Sequence, residues 1–172
     1  MLCATGQARH PPVTIPDDRR LADFRRALDR ILADLAQQIV RDGEGAQKFV
    51  ALEITGAASD SSARRIGLAI GNSPLVKTAI AASDANWGRI VAAIGKAGEK
   101  AERDRLVIAI GGVRICEKGG PVPGYDETPV AKHMQGREIR IEIDVGVGQG
   151  RATVWTCDLT HGYIDINGSY RS

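Results

Sequence analysis

A glutamate lies between two glycines in the segment Asp42-Gly43-Glu44-Gly45-Ala46, directly after a long amphipathic stretch. Because the flanking glycines add no side-chain bulk, both the backbone and the Glu44 carboxylate can approach a small ligand there. The same pattern is also typical of an ordinary helix C-terminus followed by an exposed glutamate. Spacing alone favours this second interpretation.

Two further polar turns each precede a helical stretch. Asn72-Ser73-Pro74 begins a helix whose free N–H groups can hold an anion, although ordinary capping by Asn72 or Ser73 explains the same residues. In the turn at 84–89, Trp87 suits a packing role and Arg89 can bind a carboxylate. Capping and packing are the favoured interpretations in both turns.

The usual metal, nucleotide and nucleophile motifs are missing from the sequence. The histidines and cysteines have neither the spacing of zinc ligands nor that of a disulfide framework. These residues are His10, His133, His161, Cys3, Cys116 and Cys157. The glycine-rich segment 146–150 lies between two β-like stretches, so it predicts a hairpin turn rather than a dinucleotide loop. We therefore expect no metal site.

The elements that must position these residues follow from hydrophobic periodicity. A helix is predicted from Asp17 or Asp18 to about Asp42, because apolar residues recur there at spacings of three and four. Further helices are predicted at 59–69, 74–80, 87–97 and 126–135, and strands at 49–55, 106–110, 113–116 and 137–144. The stretch 152–159 is predicted to return from 137–144 as a hairpin, and 163–166 to form a last short strand. This order favours an α+β fold in one domain, residues 1–172.

Composition limits the classes of partner. Hydrophobic residues make up 43% of the chain and aromatic residues 4%, so the core is expected to be aliphatic. Basic and acidic residues number 23 and 21, a balance that disfavours nucleic acid and anionic membranes as partners. The sequence has neither an apolar run of about 20 residues nor a signal peptide. We therefore expect a cytoplasmic protein.

Four long segments together resemble one known family. They are LAQQIVRDGEGAQK at 35–48, NSPLVKTAI at 72–80, DANWGRIVAAI at 84–94 and DLTHGYIDINGSYRS at 158–172. Their sequences, order and spacing are similar to those of the bifunctional ornithine acetyltransferase/N-acetylglutamate synthase family, specifically the C-terminal part of its β-chain. The resemblance covers essentially the whole chain.

The resemblance implies a fold and a chemistry. The fold is part of a layered αββα arrangement that the family shares with some self-cleaving aminopeptidases. The family precursor cleaves itself into α- and β-chains, and the new N-terminal Thr of the β-chain takes the acetyl group of N-acetylornithine and passes it to glutamate. In the family, a Thr-Gly pair in the α-chain provides an oxyanion hole. No cofactor is implied, although acetyl-CoA serves some members as acetyl donor.

Three residues correspond by motif to substrate-binding positions of the family. They are Glu44 in the Asp-Gly-Glu-Gly-Ala segment, Asn167 in the C-terminal motif and Ser172 at the terminal hydroxyl position. Glu44 suits the ammonium or amide end of an amino-acid substrate, whereas Asn167 and Ser172 suit its carboxylate or backbone-like atoms.

The nucleophile itself is not found in this sequence. The family's β-chain opens with Thr-Met-Leu, whereas this chain opens Met1-Leu2-Cys3 and resembles a segment further inside the β-chain. Thr5, in the pair Ala4-Thr5, is a minor candidate because its flanking residues do not match the cleavage motif. We therefore expect the lone chain to be inactive and to need an α-chain-like partner or to form a homo-oligomer. The alternative is a non-catalytic remnant that binds an amino acid or a protein.

Overall fold

The computed structural model describes residues 6, 7 and 9–169. The chain divides into two compact units, residues 1–36 and 37–172. In the first unit, the Asp18 carboxylate accepts a hydrogen bond from the backbone N–H of Arg20 and caps a 3₁₀ turn at Arg19–Leu21. The long helix α1 (Ala22–Arg41) follows and continues into the second unit. The single-domain organisation stays a prediction.

The predicted long helix is confirmed, but its apolar stripe lies at the surface. No residue of Ala22–Arg41 is buried. Large apolar side chains of the helix are between 47% and 74% exposed, namely Phe24, Ile31, Leu32, Leu35 and Ile39. None of the described helices is both long and apolar enough to cross a membrane.

The second unit carries the remaining helices and the strands. In chain order these are β1 (Phe49–Ala57), α2 (Asp60–Gly71), α3 (Pro74–Ala81), α4 (Trp87–Gly95), β2 (Val107–Ile110), β3 (Val113–Glu117), β4 (Gly120–Pro121), α5 (Glu127–Met134), β5 (Glu138–Asp144), β6 (Gly150–Cys157) and α6 (His161–Gly168). A 3₁₀ turn at Arg103–Arg105 precedes β2. The helices predicted at 59–69, 74–80, 87–97 and 126–135 are confirmed to within a few residues at each end.

The strands form one mixed sheet, in the order β4-β3-β2-β5-β1-β6. β1 runs parallel to β5 and antiparallel to β6, so that Leu52 lies between Ile141 and Val154. The hairpin predicted between 137–144 and 152–159 is therefore wrong, because β1 lies between these two strands. Sequence adjacency favoured the hairpin, whereas β1 has a fully apolar face that is best buried in the interior of the sheet.

The glycine-rich segment 146–150 crosses the end of β1 instead of forming a tight turn. Val147 and Gly148 both donate backbone hydrogen bonds of 2.7 Å to the Gly56 carbonyl. Gly56 has a φ of +68°, and a methyl group there would lie 2.0 Å from Asp144 Oδ1. Only glycine suits this crossing.

The core lies between one face of the sheet and the helices. Alternate side chains of β1 and β5, including Leu52, Ile54, Ile141 and Ile143, are at most 1% exposed. α2 packs on β1 and β6 and buries Ile66 and Ile70, and burial of each such side chain contributes about 1.5–3 kcal/mol. On the opposite face the side chains stay partly exposed, and Arg140 pairs there with Glu53 and Glu142. The aliphatic core and the layered α+β fold are confirmed.

The last predicted strand is also wrong. Residues 163–166 belong to the helix α6, whose N-cap is Thr160: its hydroxyl accepts a hydrogen bond from the Gly162 N–H. Tyr163, Ile164 and Ile166 have β-forming side chains, which is why local propensity favoured a strand. The Thr160 cap and the packing of the α6 backbone against Gly45 override that propensity.

Candidate functional site

The turn that carries Glu44 is fixed at both ends. Before it, the Arg41 guanidinium donates a 2.9 Å hydrogen bond to Glu138 Oε2 and lies 3.7 Å from the centroid of the Phe49 ring. After it, the backbone N–H groups of Gln47 and Lys48 donate to Asp158 Oδ1 over 2.8 and 3.0 Å. The turn is therefore tied to the sheet and to the segment that follows β6.

Asp158 is a buried carboxylate, with 3% of its surface exposed. Its Oδ1 atom accepts the two backbone hydrogen bonds, whereas Oδ2 has no hydrogen-bond partner among the described residues. A buried carboxylate must be compensated by donors or by a nearby positive charge. Lys48 supplies such a charge, since its ammonium group and the Asp158 carboxylate attract each other electrostatically.

Lys48 is buried as well, with 9% of its surface exposed. Its ammonium group donates three hydrogen bonds of 2.7–2.8 Å, to the carbonyls of Ile80 and Met134 and to the Ser83 hydroxyl. Burial lowers the pKa of Lys48, and the Asp158 carboxylate partly opposes that shift. Lys48 therefore joins the end of α3 and the end of α5 to the start of β1.

The Glu44 turn lies directly against the first turn of α6. Gly45 has a φ of +70°, and a methyl group there would lie 2.4 Å from Tyr163 N and 2.6 Å from the Gly162 carbonyl carbon. The Thr160 hydroxyl donates a 2.6 Å hydrogen bond to the Gly45 carbonyl. The contact is thus between two backbones, and a residue with a side chain does not fit at position 45.

Glu44 and Asn167 are brought together by this contact. The Asn167 side-chain amide donates to Glu44 Oε2 over 2.8 Å and to the Tyr163 carbonyl over 2.9 Å. Both residues are exposed. The described residues give no hydrogen bond to Glu44 Oε1 or to Asn167 Oδ1, so the pair presents two acceptor atoms and one negative charge.

The other sequence-predicted site residues cannot be placed. Ser172 and Thr5 both lie outside the described residues. Their roles stay predictions, as do the roles of Glu44 and Asn167 in substrate binding.

A cavity of about 620 Å³ lies beside this contact. Its walls come from α3, from the segment 159–164 and from Gln47, and neither Glu44 nor Asn167 lines it. Glu44 and Asn167, rather than this cavity, form the candidate site, because they supply the charged and polar groups.

The other polar turns act as helix caps. The side chains of Ser73 and Asn86 accept hydrogen bonds from the N–H groups of Val76 and Arg89, at the starts of α3 and α4. The Arg89 guanidinium donates to the Leu75 carbonyl and to the Thr78 hydroxyl, so these oxygens, and not a carboxylate, hold it. Across residues 6, 7 and 9–169, no cluster of three or more acidic, His or Cys side chains suits a metal ion.

Asp158 and Thr160 hold this region together, but their roles were not predicted from the sequence. Both belong to the segment DLTHG at 158–162, which carried the family resemblance without any assigned role. A threonine followed by a short polar and apolar stretch is a recognisable N-cap signal. No local pattern, however, indicates that its hydroxyl donates to a carbonyl 115 residues earlier.

Comparison with known protein families gives a match over the complete chain. The model of the ArgJ family matches residues 1–172. The chain belongs to the ArgJ family. This result confirms the family that the four sequence segments indicated.

Relatives of this ArgJ-family chain agree in sequence and fold. The arginine biosynthesis bifunctional protein ArgJ of Gluconobacter oxydans (strain 621H) is 60% identical over 172 residues, and that of Brucella suis biovar 1 (strain 1330) is 57% identical over 175. The crystal structure of the protein of the same name from Bacillus halodurans has a TM-score of 0.88 and 39% identity, covering 97% of this chain and 78% of that chain.

The chain spans about two fifths of the length of the curated relatives that it matches. All of it aligns with the Gluconobacter and Brucella proteins, but it covers only 41% and 42% of them. Its placement in the C-terminal part of a β-chain stays a prediction.

Proposed function

We propose that this chain supplies the amino-acid-binding part of an acetyltransferase that moves the acetyl group of N-acetylornithine to glutamate. Membership of the ArgJ family supports this function, since the relatives are named as arginine biosynthesis bifunctional proteins. The observation that carries the proposal is the hydrogen bond of 2.8 Å between Asn167 and Glu44, which are 123 residues apart in sequence.

The pair is suited to an ammonium group. Both N–H groups of the Asn167 side chain are used by Glu44 and by the Tyr163 carbonyl, which leaves Oδ1 as an acceptor. Glu44 adds a carboxylate oxygen and a negative charge. N-acetylornithine carries a side-chain ammonium at the end opposite its acetyl group, and these two acceptors can bind it while the acetyl group stays free to react. Holding a carboxylate would instead require Asn167 to give up one of its internal hydrogen bonds.

The acetyl-accepting Thr belongs, in this proposal, to polypeptide outside the 172 residues. Attack by its hydroxyl on the acetyl carbonyl releases ornithine and leaves an acetyl ester, which the amine of glutamate then cleaves. The present chain contributes recognition and orientation of the amino acid. Use of acetyl-CoA as an alternative donor stays a prediction.

An acetyl-transfer assay tests the proposal. N-acetylornithine with a labelled acetyl group is incubated with glutamate and the chain, alone or together with the remaining polypeptide of a full-length relative. We expect labelled N-acetylglutamate only in the mixture, and we expect Glu44→Gln to reduce it while Asp42→Asn, in the same turn, does not.

Turnover by the lone chain would overturn the assignment of the nucleophile. A mixture that binds N-acetylornithine without any transfer would favour the alternative, a non-catalytic amino-acid-binding module.

A further inference from the structure

We infer that Thr160 is a positioning residue for the Glu44–Asn167 pair, acting through the hydrogen bond that its hydroxyl donates to the Gly45 carbonyl. This inference rests on the proposed function and assigns to the same site a residue that contacts neither acceptor atom.

The Thr160 hydroxyl makes two hydrogen bonds, one as acceptor and one as donor. As an acceptor it caps α6 by binding the Gly162 N–H over 3.2 Å, and as a donor it binds the Gly45 carbonyl over 2.6 Å. A hydroxyl has one proton, so the whole donor capacity of Thr160 is used on the Glu44 turn. Helix capping alone requires only the acceptor.

The donated bond determines where Glu44 lies relative to Asn167. Gly45 is the neighbour of Glu44, and α6 begins directly after Thr160 and carries Asn167. α6 has no buried residue along His161–Gly168, so apolar packing contributes little to holding it against the turn. One hydroxyl therefore joins the segment with the acceptor carboxylate to the helix with the amide.

Asp158 strengthens the same connection from two residues away. Its Oδ1 atom holds the backbone of Gln47 and Lys48, just after the turn, while Thr160 holds Gly45 inside it. Because these attachment points lie on both sides of Ala46, loss of Thr160 alone is expected to leave the fold intact and to release only the part that carries Glu44.

Three substitutions separate positioning from capping. Thr160→Ser keeps donor and acceptor, Thr160→Asp keeps the cap but cannot donate, and Thr160→Val removes both. The dissociation constant for N-acetylornithine is measured by calorimetry for each variant of the 172-residue chain, with Thr153→Val as a matched control on the exposed side of β6. We expect Thr160→Ser and the control to bind N-acetylornithine like the wild type. Thr160→Asp and Thr160→Val should bind it about fivefold more weakly.

A double variant tests whether Thr160 acts through Glu44. Added to Glu44→Gln, Thr160→Val should cause no further loss of affinity, because the group that it positions is already changed. Tight binding by Thr160→Asp, or fully additive losses in the double variant, would overturn the inference and leave Thr160 as a helix cap.

A ligand-free signal keeps the inference separate from the proposed function. In NMR spectra, the side-chain amide protons of Asn167 should shift toward exposed values in Thr160→Val and stay in place in Thr160→Ser. If the wild type binds no N-acetylornithine, the proposed function fails while this signal still decides the positioning role. An unchanged Asn167 signal in Thr160→Val would contradict that role.

Discussion

The close contact between the Glu44 turn and α6 can be tested at a single glycine. In Gly45→Ala, the new methyl group would lie 2.4 Å from Tyr163 N and 2.6 Å from the Gly162 carbonyl carbon. Both are backbone atoms, so no side-chain rotation relieves the overlap and α6 must move away. The variant also places alanine at a φ of +70°, which costs about 1–2 kcal/mol by itself.

Gly98 provides the matched control. It has the same φ of +70°, but a methyl group there would have no atom within 4 Å. Gly98→Ala therefore measures the backbone cost alone. In Gly45→Ala, α6 also loses the Thr160–Gly45 and Asn167–Glu44 hydrogen bonds, each contributing about 1 kcal/mol.

We expect Gly45→Ala to be about 2 kcal/mol less stable than Gly98→Ala. For a chain of this size that difference lowers the melting temperature by about 4–8 °C in thermal unfolding followed by circular dichroism. Amide exchange in α6 should also become faster in Gly45→Ala only. Equal melting temperatures and equal exchange in the two variants would refute the close backbone contact.

Three further predictions concern other parts of the chain. Lys48→Met should lower the unfolding free energy by about 2–4 kcal/mol, because buried carbonyls lose their donor. Burial lowers the folded-state pKa of Lys48 below its usual 10.5, so the unfolding free energy of the wild type should rise as the pH rises toward 10.5. In urea titrations over the same pH range, Lys48→Met should lack that rise. Arg20→Gln should raise the pKa of Asp18 from about 2 toward 3.8 in an NMR titration. In the wild type, the ion pair between Arg20 and Asp18 stabilises the fold above pH 3.8, and that contribution is lost as the pH falls through about 2. Ile31→Lys and Leu35→Lys should reduce concentration-dependent association in light scattering, and unchanged association would show that the exposed stripe of α1 takes no part in it.

Much of the fold could be predicted because its signals are local. Ser59, Ser73 and Asn86 each cap the helix that follows them, and the alternation at 137–144 matches a strand with one buried face. The order of strands could not be read in this way, because the insertion of β1 between β5 and β6 depends on contacts between distant segments.

The candidate site shows the same division between local and distant information. Glu44 and Asn167 were found through their motifs, which are continuous in sequence. The bonds from Thr160 and Asp158 that hold the Glu44 turn in place join residues more than 100 positions apart, so sequence periodicity contains no sign of them.

In the proposed function, the Glu44 carboxylate, held by Asn167, binds the ammonium group of an amino-acid substrate. The most direct test of this role is the dissociation constant of N-acetylornithine, measured by calorimetry on the wild type, on Glu44→Gln and on Asp42→Asn. A charge-assisted hydrogen bond contributes about 1.5–3 kcal/mol, so we expect affinity to fall by roughly 10- to 100-fold in Glu44→Gln and to stay unchanged in Asp42→Asn. Equal affinities for the wild type and Glu44→Gln would contradict a role of Glu44 in binding the substrate ammonium.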